Sequence, residues 1–462
     1  MSAQDKFYIG IDLGTSYTKA LLVDGEGRQI SIASSPTLWS SSRPGAVEGI
    51  ADEFLQGVIS AISDAIRLGE EKLSKAITIE GIGIAGLAES GVVVDSQGNV
   101  TTPVIAWYDE RGEEDLAALP QSFKDQFSKK TGLIYTAQCS LGKWLHLHNH
   151  VEKFKKGQMW LNLLEYIAFA LTGERYTAPS LAHRTGAWDI DADAPWQECL
   201  DLFGLDASFI PPVRNPGESF GVVNRPGVPR QIIGAHVTVA GHDHPVASVG
   251  AGAVGGDVLF NSCGTADVLL RAVTGRISPE ARQKLVDGGI GSGAHCLPGM
   301  TVMIAGNRSG LILRRVLSLY SDVAPNIKEK FDRDFDINAD HSAVEVSEPN
   351  FMSNEVTFTL ANETSSQTIW NAALAYNTRE TGKLLAHMNS VVGEHKVSRA
   401  SGGWVRLRSV SESKRTLMPE LTVSKTQEPG AFGAAAFGYV AAEGKFENIQ
   451  QSIIEFVSEK VK

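Results

Sequence analysis

The stretch that decides the fold is FYIGIDLGTSYTKALLVD, residues 7–24. Two apolar runs flank a short segment of glycine and small hydroxyl residues, LGTS, at positions 13–16. Apolar runs of this length bounded by turn residues predict two strands joined by a tight hairpin. A third such run, at 28–33, follows the turn DGEG. The sequence therefore predicts an antiparallel meander at the start of the chain.

The loop of this hairpin has the composition of an anion site, because glycine and small side chains let backbone N–H groups approach an anion. It differs from a Walker A loop and from a dinucleotide fingerprint, since both of those connect a strand to a helix. An ordinary hairpin turn would have the same composition. The candidate phosphate contacts are Gly14, Thr15, Ser16 and Lys19, with Asp12 placed to hold a hydrated magnesium ion.

A second hairpin of the same kind is predicted in DVLFNSCGTADVLLRAV, residues 257–273. Aligning IDLGTSYTKALL with FNSCGTADVLL superposes Gly14 and Thr15 on Gly264 and Thr265. Such a repeat is what a duplicated domain would leave in the sequence. Two glycine-threonine loops could hold one polyphosphate from opposite domains.

The rest of the chain mixes predicted strands and helices, which is typical of an α/β protein. Residues 53–68 have an apolar helical stripe with Asp52 as a candidate N-cap, and 77–86 form a predicted buried strand. Further helices are expected at 367–392 and 428–444. The proline-rich segment 210–230 is expected to be mostly loop.

Bulk properties narrow the class of protein. At 462 residues the chain is long enough for two domains. A net charge of -11 argues against binding nucleic acid or anionic membranes. The sequence shows no apolar run of membrane-spanning length, no evident signal peptide and four isolated cysteines, so we expect a cytoplasmic protein with reduced, mostly buried thiols.

The segment VAGHDHPVASVGAG, residues 239–252, places Asp243 between His242 and His244. One interpretation is a metal site and the other is a catalytic carboxylate at the start of a helix, which it would also cap. A zinc site requires three or four ligands, and the neighbouring His236 and His183 have no recognisable spacing. The second interpretation is therefore favoured.

The segment HLHNH, residues 146–150, also resembles a metal-binding motif. Alternating positions of a helix point well apart, however, so we expect this segment to be a solvated helix face.

Four segments together resemble the FGGY carbohydrate kinases. YIGIDLGTSYTKALLVD (8–24) resembles the first phosphate loop of the actin-like ATPase superfamily. GIGIAGLAESGVVVDSQGNVTTPVIAWYDERG (81–112) resembles the sugar-site segment of the FGGY family, and LTGERYTAPSLAHRTGAWDI (171–190) resembles its LTG and Arg-Thr-Gly block. AGHDHPVASVGAGAVGGDVLFNSCGTADVLL (240–270) resembles its catalytic-aspartate and second phosphate segment. The resemblance runs from about residue 7 to 440.

The resemblance implies an α/β fold of two RNase H-like, or actin-like ATPase, domains with an active site in the cleft between them. The expected division places an N-terminal FGGY domain at 1–244 and a C-terminal FGGY domain at 245–462. The first would bind mainly the sugar and carry the first phosphate loop, and the second would bind mainly ATP.

The resemblance also assigns roles in the catalytic segment. Asp243 corresponds to the general base, which takes the proton of the attacking hydroxyl. His244 is an expected substrate contact, whereas no role is assigned to His242. Asp12 and Asp243 would hold Mg²⁺ through water.

In the sugar-site segment, Glu89 aligns with an acidic residue that binds substrate hydroxyls in the related glycerol kinases, but Ala88 replaces the basic residue that precedes it there. Trp107 resembles the aromatic wall of the sugar site. Asp109 is a further candidate substrate contact, with pairing to Arg111 as the alternative.

For the nucleotide, SGGWVRLRS (401–409) supplies the glycine pair Gly402 and Gly403, although bulky Trp404 replaces a small residue common in the family. The turn AGNRSG (305–310) is expected to add one more glycine, with Gly306 and Gly310 as the alternatives and Gly306 taken as the candidate.

The sequence thus predicts an ATP- and magnesium-dependent kinase of a small sugar or polyol, such as a ketopentose, a hexulose or a short polyol. An actin-like ATPase and a catalytically silent sugar-sensing protein of kinase descent are the alternatives. A homodimer is the default expectation for its assembly.

Overall fold

The computed structural model describes residues 5–320, 324, 326–348, 355–361 and 363–461. The first half of the chain is built on a five-stranded sheet. The strands of this half, five of which form that sheet, are β1 Phe7–Leu13, β2 Tyr17–Asp24, β3 Gln29–Pro36, β4 Ser40–Arg43, β5 Ala46–Gly49, β6 Ile79–Gly86, β7 Gly91–Val94, β8 Val104–Ile105, β9 Met159–Asn162, β10 Trp188–Asp189, β11 Ala194–Pro195 and β12 His236–His242. Its helices are α1 Ala51–Leu73, α2 Glu113–Ala117, α3 Gln121–Thr131, α4 Ser140–His150, α5 Leu163–Thr172, α6 Pro179–Ala182, α7 Gln197–Asp201 and α8 Asp243–Gly250.

The second half is built on a six-stranded sheet. The strands of this half, six of which form that sheet, are β13 Val258–Cys263, β14 Asp267–Thr274, β15 Gly291–Ala294, β16 Met300–Asn307, β17 Val344–Ser347, β18 Thr357–Leu360, β19 Val397–Ser401 and β20 Thr422–Val423. Its helices are α9 Pro279–Asp287, α10 Ser309–Ser318, α11 Ile327–Arg333, α12 Ser366–Val392, α13 Arg408–Arg415, α14 Pro429–Glu443 and α15 Ile449–Val461.

Both predicted hairpins are present, and both central sheets are mixed. The first sheet has the order β12-β6-β1-β2-β3, with β1, β2 and β3 antiparallel and with β6 and β12 parallel to β1. The second has the order β15-β16-β14-β13-β19-β20, in which β13 and β14 form the second antiparallel hairpin. These sheets and their flanking helices confirm the predicted α/β class.

Helix α1 covers one face of the first sheet with the predicted apolar stripe. Leu55, Val58, Ile62 and Ile66 are buried against the sheet. The helix begins earlier than predicted, because Ala51 and Phe54 are buried as well and extend the stripe by a turn. Asp52 is therefore a first-turn residue and Ile50 occupies the N-cap position, so the predicted capping role of Asp52 is wrong.

The opposite face of the first sheet is covered by α8 and α14, although α14 comes from near the end of the sequence. The two sheets divide near the expected boundary of residues 244 and 245, and that boundary stays a prediction. The chain then returns to the first sheet with α14 and α15, whose apolar residues form one core cluster with Tyr8 of β1.

Glycines in the strands allow α14 to lie unusually close to the sheet. A Cβ atom at Gly10 would lie 1.8 Å from the carbonyl oxygen of Ala431, and one at Gly83 would lie 1.8 Å from that of Ala434. Any side chain at either position would push the helix away, because such distances are far inside van der Waals contact.

Two expectations from the bulk properties can be compared with the structure. The four cysteines, Cys139, Cys199, Cys263 and Cys296, are free and buried. Among the described residues, helices that combine sufficient length and apolar character to cross a membrane are absent.

We expect Gly83→Ala to lower the free energy of unfolding by about 1–3 kcal/mol, since the added methyl group overpacks the contact between β6 and α14. Urea titration followed by circular dichroism would measure this change. Gly57→Ala on α1 is the matched control, because its Cβ would meet Ser35 Oγ at an ordinary 3.6 Å and alanine favours a helix. Equal losses in both variants would contradict the close-packing argument.

Candidate active site

Three of the predicted site residues lie at one edge of the first sheet. Strands β1 and β12 both run parallel to β6, so the carboxyl ends of all three lie at the same edge. Asp12 lies near the end of β1, Glu89 follows β6, and Asp243 follows β12 directly. Ligands of open α/β sheets bind outside this edge.

Asp12 and Asp243 interact through their charges. Burial of Asp12, together with the negative charge of Asp243, raises the pKa of the Asp12 carboxyl to about 7. Lys19 opposes this shift, but its Nζ donates to Glu428 Oε2 at 2.6 Å. Two neighbouring carboxylates are unfavourable without a cation, and their oxygen atoms are the ligands that Mg²⁺ prefers. These two residues therefore fit a magnesium ion.

The two histidines beside Asp243 contact its carboxylate. His242 Nε2 lies 3.2 Å from Asp243 Oδ1 and His244 Nε2 lies 3.9 Å from it, while the backbone N–H of His244 donates to the same oxygen at 2.6 Å. Burial lowers the pKa of His242 to about 3, so this imidazole is neutral. His242, for which the sequence suggested no role, thus lies against the candidate base.

One sequence interpretation of this segment changes. Helix α8 begins at Asp243 with His242 at the N-cap position, so the predicted capping role of Asp243 is wrong and its carboxylate accepts from the next residue instead. Over the described parts of the chain, the clusters of three or more metal-ligating side chains do not include the His242–His244 segment.

Glu89 is paired with Arg184, the arginine of the Arg-Thr-Gly block, to which the sequence analysis assigned no role of its own. Glu89 is buried, and Arg184 Nε donates to its Oε1 at 2.6 Å. A second guanidinium nitrogen of Arg184 contacts the same oxygen. Arg184 lies on the short 3-10 helix His183–Thr185, far from Glu89 in sequence. Arg184 thus supplies a positive charge beside Glu89, although the residue that precedes Glu89 is Ala88. The sequence holds no local signal for the pairing of Arg184 with Glu89.

Trp107 joins the sugar-site segment to the first hairpin. Its Nε1 donates to Thr15 Oγ1 at 3.1 Å, and Trp39 Nε1 donates to the carbonyl of Thr15 at 2.8 Å. On the other side, the buried Lys143 donates from Nζ to the carbonyl of Trp107 at 2.8 Å. Burial lowers the pKa of Lys143 to about 8. The backbone and the indole of Trp107 are thus both fixed by the protein.

The carboxylate of Asp109 is engaged within the protein. Its Oδ2 accepts the backbone N–H of Val47 at 2.6 Å, and both of its oxygens accept from Arg111. Arg111 also donates to Glu48 Oε2 at 3.0 Å. This geometry favours the pairing alternative, in which Asp109 fixes the segment after Trp107. Contact of Asp109 with substrate stays a prediction.

The second hairpin packs against Gly310. A Cβ at Gly310 would lie 1.9 Å from the carbonyl oxygen of Gly264, and the carbonyl of Thr265 accepts the N–H of Leu311 at 2.9 Å. Gly306 lies in β16, where its Cβ would be 3.4 Å from the nearest atom. Of the two alternatives, Gly310 and not the chosen candidate Gly306 is the one in contact with the loop.

The glycine pair after β19 lies at the same hairpin. Gly402 has a φ of +104°, and its Cβ would lie 2.3 Å from the carbonyl oxygen of Cys263, whereas a Cβ at Gly403 would meet open space. Beside the second hairpin lies a narrow cavity, lined among others by Gly264, Gly310 and Trp404. The glycine pair thus contacts the second hairpin through Gly402, and Gly264 and Gly310 line the cavity beside that hairpin.

Comparison with known proteins identifies the family. Residues 7–250 match the model of the FGGY family of carbohydrate kinases, N-terminal domain. A glycerol kinase from Thermococcus onnurineus is 27% identical over 279 residues, which are 59% of this chain and 55% of that protein. The chain thus spans about half the length of the curated relatives that it matches.

Solved structures share the fold along nearly the whole chain. A xylulose kinase from Rhodospirillum rubrum aligns with a TM-score of 0.82 and 20% identity over 98% of both chains. The Plasmodium falciparum glycerol kinase with ADP aligns with a TM-score of 0.85 and 18% identity over 97% of this chain and 92% of that one. The fold is therefore that of two actin-like ATPase domains. With its N-terminal half matched as a unit and its fold shared throughout, this chain belongs to the FGGY family of carbohydrate kinases.

Proposed function

We propose that this protein transfers the γ-phosphoryl group of ATP to a hydroxyl group of a small sugar or polyol. The observation that carries this proposal is the placement of Asp12, Asp243 and the Glu89–Arg184 pair at one edge of the first sheet. A phosphoryl transfer needs a metal-binding carboxylate, a base near the acceptor hydroxyl and polar groups that orient the acceptor. These three residue sets supply the three requirements.

Asp243 is the proposed general base. Phosphoryl transfer passes through a loose transition state, so the protein mainly positions the reactants and neutralises charge. Asp243 takes the proton of the acceptor hydroxyl as the new oxygen–phosphorus bond forms. His242 and His244 hold its carboxylate in place through the contacts described above.

The phosphates of ATP are proposed to lie between the two hairpins. Gly14, Thr15 and Ser16 of the first and Gly264 and Thr265 of the second offer backbone N–H groups and hydroxyls. Asp12 and Asp243 would hold Mg²⁺ through water, and the ion when bound neutralises phosphate charge.

Two further groups complete the proposed nucleotide site. Lys19 would turn from Glu428 towards the phosphates, since a phosphate competes for its Nζ. The rest of the nucleotide would lie along Gly310, Gly402 and Gly403, beside the second hairpin.

The acceptor is proposed to lie against Glu89, Arg184 and Trp107, with His244 as a further contact. The Glu89 carboxylate would accept hydrogen bonds from hydroxyl groups, Arg184 would donate to hydroxyl oxygens, and the indole of Trp107 would offer an apolar face. Relatives named as glycerol kinase and xylulose kinase support a ketopentose, a hexulose or a short polyol. Because the basic group comes from Arg184 and not from the residue before Glu89, the proposed pocket differs in shape from one in which the two residues are adjacent.

The alternatives are less well supported. An ATPase that assembles or acts as a chaperone does not need the Glu89–Arg184 pair or a base beside Asp12. A catalytically silent sensor would not need Asp243 so near Asp12 that its charge raises the pKa of Asp12.

We further propose that the protein is a cytoplasmic enzyme that acts on small substrates. Its net charge of -11 disfavours binding to nucleic acid. A homodimer is the expected assembly.

We expect Asp243→Asn to reduce kcat by roughly 10²- to 10⁴-fold, which is the usual contribution of a positioned base. A coupled assay of ADP release, run across ketoses, aldoses and polyols, first identifies the acceptor and then measures the variant. Binding of acceptor and of ATP should persist by calorimetry. Asp52→Asn, an exposed change on α1, is the control. Full activity of Asp243→Asn would disprove the role, and a wild type inactive on the whole panel would disprove the kinase proposal.

We expect Glu89→Gln to weaken acceptor binding by roughly 10- to 100-fold, the worth of a hydrogen bond to a charged group. Arg184→Lys should also weaken it, because lysine cannot reproduce the planar guanidinium contact with Glu89. Calorimetry with the acceptor and, separately, with a non-hydrolysable ATP analogue distinguishes the two sites. If the affinity for the ATP analogue fell as far as that for the acceptor, the assignment of Glu89 to the acceptor site would be wrong.

We expect Gly310→Ala to raise the KM for ATP by about 10-fold or more, since a methyl group 1.9 Å from the Gly264 carbonyl displaces the second hairpin at a cost of about 1–3 kcal/mol. Acceptor affinity should change little. Gly306→Ala is the matched control, because its methyl group has room within a few tenths of an ångström. A larger effect from Gly306→Ala would reverse the choice between the two glycines.

A further inference from the structure

A cluster of potential metal ligands lies outside the active site, where α2 packs on α4. Asp115 of α2 and His146 and His150 of α4 place one ligand atom each within 4.8 Å of one another. Within the ranges that the structure describes, this is the only such group of three or more His, Cys, Asp or Glu side chains. It has no part in the proposed kinase reaction.

The sequence argument against HLHNH considered alternating positions, which point apart. His146 and His150 are four residues apart, however, so they lie on the same face of α4 one turn from each other. Their ring centroids are 4.7 Å apart. The expectation of a merely solvated face is therefore revised, because α2 places a carboxylate opposite these two imidazoles.

The three side chains are available as ligands. His146 and Asp115 are half-buried and His150 is exposed, which leaves a path for an ion from solvent.

A neighbouring amide orients the carboxylate. Asn149 Nδ2 donates to Asp115 Oδ1 at 2.6 Å, and within the described residues the other carboxylate oxygen has no hydrogen-bond partner. Hydrogen bonds of this kind orient metal ligands and are a regular part of metal sites.

We propose that Asp115, His146 and His150 bind one zinc ion, with water completing the coordination, and that this ion clamps α2 to α4. Two imidazoles and one carboxylate suit zinc, whereas calcium and magnesium require oxygen ligands alone. Tetrahedral zinc with bonds of about 2.1 Å places its ligand atoms about 3.4 Å apart. The three ligand atoms, which lie within 4.8 Å of one another, would move closer together on binding.

The clamp would act on the segment that carries Trp107. Helix α2 directly follows that segment, and α4 carries Lys143, which holds the carbonyl of Trp107 at 2.8 Å. The two helices already approach closely, since a Cβ at Gly112 would lie 2.1 Å from the carbonyl oxygen of Gly142. A bound ion would therefore reduce the motion of α2 relative to α4. This inference does not depend on the proposed kinase function.

The binding test uses the full chain without a polyhistidine tag, stripped with a chelator and titrated with zinc chloride against a chromogenic zinc indicator. We expect one high-affinity site per chain, and cobalt(II) chloride should give the intense visible absorption of tetrahedral coordination. His150→Ala and Asp115→Asn should each weaken zinc binding at least about 10-fold. Glu114→Gln, which changes the neighbouring exposed carboxylate of α2, should bind as the wild type does.

A wild type that fails to compete with the indicator would overturn the site, and so would His150→Ala and Asp115→Asn variants that bind zinc as tightly as the wild type. Circular dichroism would show that each variant keeps its fold. The clamp has its own test in hydrogen exchange measured with and without zinc. Zinc should slow the exchange of amides in α2, and His150→Ala should abolish this protection. Zinc binding without added protection in α2 would overturn the clamp.

Discussion

The close approach of α14 to the first sheet is the constraint on which the active site depends. Because Gly10 and Gly83 lack side chains, the backbone of α14 lies directly on β1 and β6. The same approach brings the first turn of α14 to Asp12, where a Cβ at Gly430 would lie 2.5 Å from Asp12 Oδ2. It also brings Glu428 to Lys19 at 2.6 Å. A segment from the end of the chain thus completes a site whose other groups come from its beginning.

This packing has an electrostatic consequence. Asp12 is held between Asp243 and the N-terminus of α14, and its raised pKa shows that burial and the nearby charge oppose its ionised form. The partial positive charge of a helix N-terminus only partly offsets this effect. The rest of the fold keeps the two carboxylates together through the parallel strands that carry them. Two carboxylates held this near each other favour a divalent cation, because the cation removes the repulsion between their negative charges.

The sequence was sufficient where the signal is local. Alternating apolar residues around Gly14 and Gly264 predicted both hairpins, and the segment after His242 predicted a helix that begins beside Asp243. Helix ends were less accurate, since Asp52 and Asp243 have the composition of N-caps but burial of the preceding residues moves the cap position. The contact of the second hairpin with Gly310 rather than Gly306 also required the structure, because both glycines are equally compatible with the turn that contains them.

Contacts between distant segments could not be predicted in this way. Arg184 and Glu89 are brought together by the packing of a 3-10 helix on the end of β6, and Asp115 reaches His146 and His150 only because α2 and α4 pack closely. Neither pairing has a spacing that a single sequence reveals. The same holds for Lys143. Its position in the sequence of α4 gives no sign that its ammonium group donates hydrogen bonds to the carbonyls of three residues.

Trp107 links the proposed acceptor site to the proposed phosphate site through a single hydroxyl group. Thr15 Oγ1 accepts the indole N–H of Trp107, and a hydroxyl that accepts one hydrogen bond can still donate its own proton. A phosphate oxygen at the first hairpin could therefore accept a hydrogen bond from the Thr15 hydroxyl, while Trp107 continues to donate to the oxygen of that hydroxyl. Hydrogen bonds arranged in this order strengthen one another, because each polarises the next. Phosphate binding would then tighten the wall of the acceptor site, and the backbone of Trp107, held by Lys143, would keep that wall in place.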